Sequence, residues 1–226
     1  MFKAGIFTER NQPDRDGKHD SIIFDLDGTL WDPIDTVLQA WNSSLKEHDQ
    51  SKSELTRTDF EGTMGLQIDE ISEQLFPYLN EDVRGQVMTA CMQKEQRFLK
   101  KMGGTLFPHV EDTLQTLSED YKLYIVSNCQ DGYIESFYEY HQLEKYFLDY
   151  ENPGRTGLSK GENINLIIER NQLSHPTYIG DTQGDLNASR YAGIPFIYAA
   201  YGFGQVDDYD YRLRRFDDLI HIFNKV

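Results

Sequence analysis

Three short apolar runs, each closing on polar side chains, constrain this chain more than any other feature. SIIF (21–24) runs into Asp25, Asp27 and Thr29, LYIV (123–126) into Ser127 and Asn128, and TYIG (177–180) into Asp181 and Asp185. Runs this short and apolar at successive positions are buried on both faces, as in the central strands of a parallel sheet covered by helices. Helical periodicity recurs near 110–118, 133–141, 161–170 and 185–192, with further strand-like runs at YFLDY and PFIYA. Alternation of strand and helix predicts an α/β fold around a parallel sheet.

The alternation is interrupted once. Asp32 at an N-cap, Pro33 at the first helical position and Asp35 in the first turn introduce Ile34, Val37, Leu38, Trp41 and Leu45 at helical spacing. Helical signals continue through Ile68, Ile71 and Leu75 and through Val83, Val87, Cys91 and Phe98, with no strand-like run before Gly103-Gly104. The expected organisation is a polar leader over 1–19, an α/β core from 20–32 and 103–226, and an all-helical insertion over 33–102. The acidic stretch VDDYDYR (206–212) reads as a solvated surface turn.

At 226 residues, 38% of them hydrophobic, the chain is long enough for one domain with a substantial insertion. A net charge of −16 opposes binding to nucleic-acid backbones and anionic membranes. No stretch approaches a membrane span and the opening MFKAGIFTER does not resemble a signal peptide, so the expected location is cytoplasmic. Cys91 and Cys129 are far apart and outside any CxxC spacing, which indicates neither a disulfide framework nor a structural zinc site. The six histidines are scattered and receive no role.

Ligands of open α/β sheets bind outside the carboxyl ends of the strands, where the three apolar runs deliver their polar residues. Residues two apart on a strand share a side, so Asp25 and Asp27 face one site while Leu26 turns into the core and Gly28 permits a sharp turn. Carboxylates gathered at one edge repel unless a cation sits among them, and an oxygen-only ligand set suits Mg²⁺.

These residues resemble the ordered motifs of the haloacid dehalogenase superfamily of phosphohydrolases. DLDGT is similar to its first motif, Ser127-Asn128 to its second, Lys160 in GLSKGEN to its third and GDTQGD (180–185) to its fourth. The resemblance extends from about Ser21 to about Gly204 and most resembles phosphoglycolate-phosphatase-like members, with the helical insertion in the place of their cap. It implies a Rossmann-like core and a Mg²⁺-dependent phosphatase acting on a small phosphorylated metabolite such as phosphoglycolate, a sugar phosphate or a nucleotide. Asp25 is implied as the nucleophile that forms an aspartyl-phosphate, and Asp27 as general acid and then base. Mg²⁺ is implied to be held by the Asp25 carboxylate, the Asp27 carbonyl and Asp181, with Asp185 as a ligand through water or as an orienting group. Thr29, Ser127, Asn128 and Lys160 are implied to hold the phosphoryl oxygens.

Some choices stay open at this point. Arg155 competes with Lys160 as phosphate partner, Trp31 is a candidate for the site entrance, and the glycines of GTMGL (62–66) let backbone approach a substrate or simply break a helix. A phosphomutase of the same superfamily and a receiver-like phospho-accepting module are the alternative functions. The expected state is a monomer or weak dimer.

Overall fold

The computed structural model describes residues 19–47 and 54–223. The leader expected over 1–19 lies outside the described residues except for His19, whose Nδ1 shares a 2.6 Å hydrogen bond with Thr177 Oγ1. The chain opens with β1 (Ser21–Phe24) and a short β2 (Trp31–Asp32), then four helices: α1 (Ile34–Glu47), α2 (Arg57–Glu61), α3 (Ile68–Leu75) and α4 (Glu81–Met102). It continues through β3 (Thr105–Leu106), α5 (Val110–Ser118), β4 (Lys122–Val126), α6 (Tyr133–His141), β5 (Phe147–Glu151) and the single turn α7 (Pro153–Thr156). The last elements are α8 (Lys160–Asn171), β6 (Pro176–Gly180), α9 (Gln183–Tyr191), β7 (Phe196–Ala199), β8 (Tyr211–Leu213) and α10 (Asp218–Phe223).

Six strands form one sheet in the order β5-β4-β1-β6-β7-β8, every pairing parallel. The continuous apolar character of SIIF has its reason here: β1 is central, with Phe24 level with Ile125 of β4 and Ile179 of β6. Successive side chains alternate between faces. Ile22 and Phe24 enter a core shared with Leu114 of α5, Phe137 of α6 and Leu219 of α10, while Ile23 enters a second core with Ile164 of α8 and Leu186 of α9. The sheet is therefore sandwiched between two helical layers, the α/β Rossmann-like architecture expected.

The helices α1 to α4 add to one side of this sandwich, Trp41, Phe60, Phe76 and Leu99 lying in the same core as Phe137 of α6. Trp41 of α1 anchors them, its ring 5.1 Å from Phe60 and 6.2 Å from Phe76. The two chain crossings between helices and sheet are tied together, since β2 pairs antiparallel with β3 and Thr36 Oγ1 donates to the Gly103 carbonyl at 2.6 Å. Gly103 has φ of +64° and a Cβ there would overlap the Tyr140 ring, so this crossing requires glycine twice over.

Two expectations need adjustment. VDDYDYR is not entirely a surface turn, because Tyr211 and Arg212 open β8, which pairs with β7 at the sheet edge. Three residues with one fully buried side chain, Leu213, are too few for period-2 alternation to be visible. The helix expected to begin near Asp185 begins at Gln183, with Thr182 as N-cap and Asp185 closing a capping box.

Phe24 is fully buried, its ring 6.2 Å from Phe147 and 5.9 Å from Phe216. Phe24→Ala is expected to cost about 3–5 kcal/mol, the range for emptying a buried aromatic site, read as a lowered midpoint in urea with an unchanged slope.

Candidate active site

Because β1 lies between β4 and β6, the three polar strand ends arrive side by side. Asp25 continues β1, its amide donating to the Ile179 carbonyl at 2.8 Å; Ser127 follows β4 and Asp181 follows β6. All three are buried. The DLDGTLW segment then folds back on itself: the Leu26 carbonyl accepts from Thr29 and Leu30, and the Gly28 amide donates to the Trp31 carbonyl. Gly28 has φ of +82°, and a Cβ there would overlap the Asp181 carboxylate. The sequence needs glycine at this point both for the turn and for the close approach of β6.

Lys160, the first residue of α8, carries the charge balance. Its Nζ donates to Asp25 Oδ1 at 2.9 Å and to Asp185 Oδ1 at 2.6 Å, all three groups being buried. Burial opposes its charge, but Asp185 and Asp25 reverse that and raise its pKa, so it is a fixed cation. Arg155, the other candidate, does not join this group: it lies over the Tyr150 ring and 3.8 Å from Glu151.

Asp185 is fully engaged. Its Oδ2 accepts from the amides of Asp181 and Thr182 and from Thr182 Oγ1, and its Oδ1 from Lys160 and, at 3.3 Å, from Tyr178. Asp181 presents the contrast. Its Oδ2 accepts from the amides of Phe203 and Gly204, while its buried Oδ1 has no partner. One oxygen each from Asp25, Asp181 and Asp185 lies within 4.8 Å of the others, a grouping able to hold a metal ion. Burial, then the charges of Asp185 and Asp25, push the Asp181 carboxyl well up; burial and Asp185 push Asp25 up to about 6 against the pull of Lys160. An oxygen-only set with an orphaned, buried carboxylate oxygen fits a hard divalent cation.

Asp27 stands outside that grouping, and its carboxylate faces other partners. Trp31 Nε1 donates to Oδ1 at 2.6 Å, and the Tyr133 hydroxyl lies 3.2 and 3.0 Å from its two oxygens. Burial and the neighbouring Asp25 raise its pKa to about 7, the two donors notwithstanding. Trp31 is fully buried, so it holds Asp27 instead of lining an entrance. Tyr133, at the start of α6, was not singled out in the sequence; an aromatic on an amphipathic helix carries no sign of a hydroxyl turned toward a strand end 106 residues earlier.

The expected phosphate ligands are placed around the same edge. Thr29 Oγ1 and Asn128 Oδ1 are buried without partners, so both have hydrogen-bonding capacity to spare. Asn128 Nδ2 donates to the Gly65 carbonyl at 3.0 Å, which brings the GTMGL segment of the helical block onto the site. The close approach accounts for its second glycine, where φ is +80° and a Cβ would crowd Thr182. Cys129, beside Asn128, is buried, and burial followed by Asp27 and Asp25 raises its thiol pKa, so it is unreactive.

Among the described residues no helix is long and apolar enough to cross a membrane. Residues 22–199 match the family model described as haloacid dehalogenase-like hydrolase. A phosphoglycolate phosphatase of Aliivibrio fischeri is 24% identical over 194 residues, covering 80% of this chain and 84% of that protein. Solved structures of the same fold include a haloacid dehalogenase-like family hydrolase of Streptococcus pneumoniae, with TM-score 0.77 and 23% identity over 92% of this chain and 99% of that one. CbbY of Rhodobacter sphaeroides, solved in complex with phosphate, has TM-score 0.72 and 15% identity over 89% and 96% of the two chains. With its strand-end carboxylates, bridging lysine and a match spanning most of its length, the chain belongs to the haloacid dehalogenase-like hydrolase family.

Proposed function

We propose that this hydrolase is a Mg²⁺-dependent phosphatase that cleaves a small phosphomonoester through an aspartyl-phosphate on Asp25. The observation that carries the reading is the Lys160 ammonium buried between Asp25 and Asp185, at a strand edge where the Thr29 hydroxyl and Asp181 Oδ1 are buried without partners. The ammonium and the Thr29 hydroxyl can donate to phosphoryl oxygens, while the acceptor-only Asp181 oxygen is left for a cation. The names of the Aliivibrio relative and the phosphate complex of the Rhodobacter neighbour support the same class.

Asp25 attacks phosphorus while Lys160 and the side chains of Thr29, Ser127 and Asn128 hold the phosphoryl oxygens. Asp27 carries a proton near neutral pH because its pKa is raised, and delivers it to the leaving oxygen; deprotonated, it then takes a proton from the water that opens the acyl phosphate. Trp31 and Tyr133 fix the orientation of its carboxyl during both transfers. Mg²⁺, when bound, neutralises charge on the transferring group. Asp25 and Asp181 would hold it, with the Asp27 carbonyl, while Asp185, whose oxygens are already engaged, orients Lys160 and the Asp181 loop. The helical block, joined to the sheet on either side of the site, serves as the cap that selects the leaving group.

Asp25→Asn is expected to abolish release of phosphate from p-nitrophenyl phosphate, and Asp27→Asn to slow it by about 10²- to 10⁴-fold. Retained turnover in Asp25→Asn would exclude the covalent route. EDTA should silence the enzyme and Mg²⁺ restore it.

Stability gives an independent readout of the carboxylate site. Asp25 and Asp27 have folded pKa values raised above the ordinary 3.8, so their contribution to stability is complete below that pH and is lost as pH rises through about 6 to 7; Asp181 is shifted in the same direction. The melting temperature of the metal-free protein should therefore fall between pH 5 and pH 8. Mg²⁺ should raise it more at pH 8, where Asp25 is charged, than at pH 5. Equal shifts at both pH values would remove these carboxylates as the metal site.

A further inference from the structure

Among the described residues of the helical block one charged side chain is buried, and it is an acid. Glu95 of α4 is 4% exposed. Its Oε1 accepts from Gln130 Nε2 at 2.7 Å and its Oε2 accepts from Trp41 Nε1. Two neutral donors and no cation surround it, the environment of an acceptor-only carboxylate. Gln130 belongs to the loop that presents Ser127 and Asn128, and Tyr133, in the same turn, donates to Asp27. Gln96, next to Glu95, grips this loop through the Asp131 carbonyl. Glu95 thus reaches the same side of the site as the acid that protonates the leaving oxygen, and its charge is felt at both Asp27 and Tyr133.

Nothing of opposite sign accompanies it. Arg57 is bound by Asp32, Asp35 and Glu61, and Lys46, Lys94 and Lys100 pair with Glu54, Glu47 and Glu139. Arg97 and Lys101 are exposed. Lys160 is committed to Asp25 and Asp185 at the phosphoryl end. Among the described residues no ion pair reaches Glu95, and the cations of the helical block, Arg84 with Glu73 included, lie at its surface or in other pairs.

We infer that Glu95 is a specificity-determining residue that excludes anionic leaving groups, so that the substrate is a phosphomonoester of an uncharged or cationic alcohol, such as a polyol, a sugar or a nucleoside. This rests on the phosphatase reading and narrows it. A carboxylate-bearing ester would bring a second anion toward the Glu95 carboxylate in surroundings of low dielectric, where like charges repel more strongly than in water. The phosphoglycolate named for the Aliivibrio relative is such an ester, and the inference separates this chain from that substrate.

The test compares 2-phosphoglycolate with its carboxamide, which differ in charge and hardly in shape. The full chain, Glu95→Gln and Glu95→Asp are assayed with Mg²⁺ at pH 8, above the value of about 7 to which burial raises the Glu95 carboxyl. The wild type should favour the amide in kcat/KM by about tenfold or more, Glu95→Gln should shrink that ratio by a similar factor, and Glu95→Asp, which keeps the charge, should preserve it. Should either ester escape turnover, its Ki against p-nitrophenyl phosphate reads the same discrimination. Wild-type preference for the carboxylate, or an unchanged ratio in a folded Glu95→Gln, overturns the inference while leaving the phosphatase intact. If Glu95→Gln fails to fold, the wild-type preference decides alone. Absence of turnover with all three esters instead overturns the phosphatase reading, and this inference with it.

Discussion

Everything at the site depends on one buried ammonium. Asp25, Asp181 and Asp185 converge because the neighbouring strands β1 and β6 end together, and the convergence raises the pKa of Asp25 and Asp181 and costs stability. Lys160 offsets part of that cost by placing its charge between Asp25 and Asp185. Its position follows from local structure, since Ser159 caps α8 and closes a capping box with Glu162, which fixes Lys160 at the first helical position with its side chain at the sheet edge. Compensation remains incomplete with one cation among three acids, and the unpartnered Asp181 oxygen marks where the remainder is missing. A divalent cation there would complete the arrangement without further protein charge. The protein's overall charge of −16 therefore says little about its affinity for a phosphate dianion, which is decided within this one group of side chains.

Much of this was legible in the sequence because the signals were short-range. SIIF, LYIV and TYIG each betray a strand buried on both faces, and the residue following each run must emerge at the carboxyl edge. Asp25, Ser127 and Asp181 were found in this way, and the similarity of four ordered motifs added Lys160, whose place no periodicity could supply. Legibility failed where function depends on contacts between distant segments. Tyr133 and Glu95 sit on helices whose amphipathic patterns are satisfied by core packing alone, so no local irregularity marks the hydroxyl against Asp27 or the carboxylate against Trp41. Trp31 was visible as an aromatic near the site, yet its indole donor bond to Asp27 depends on the fold-back of the Gly28 turn. The edge strand β8 was hidden by its brevity and by the acidic residues around it.

The loop from Ser127 to Tyr133 joins these local and distant features. Within seven residues it offers Ser127 and Asn128 to the strand-end site, Asn128 and Gln130 to the helical block, and Tyr133 to Asp27. Its backbone is held from below, the Ser127 amide donating to Glu151 and the Cys129 carbonyl accepting from Gly154. Gly132, with φ of +85° and the Gln96 side chain against it, lets the chain turn directly from the loop into α6. A displacement of α4 acts on Gln130 and Asp131 at once, and these residues are continuous with the phosphate-side Asn128 in one direction and the acid-holding Tyr133 in the other. The block and the two ends of the reacting bond are consequently coupled through a single short segment. On the proposed mechanism, a substrate whose leaving group fits the block poorly would disturb the placement of the proton donor as well as its own binding. Discrimination between esters of similar size should then fall on kcat as much as on KM, because a misplaced acid costs transition-state stabilisation that ground-state binding does not register.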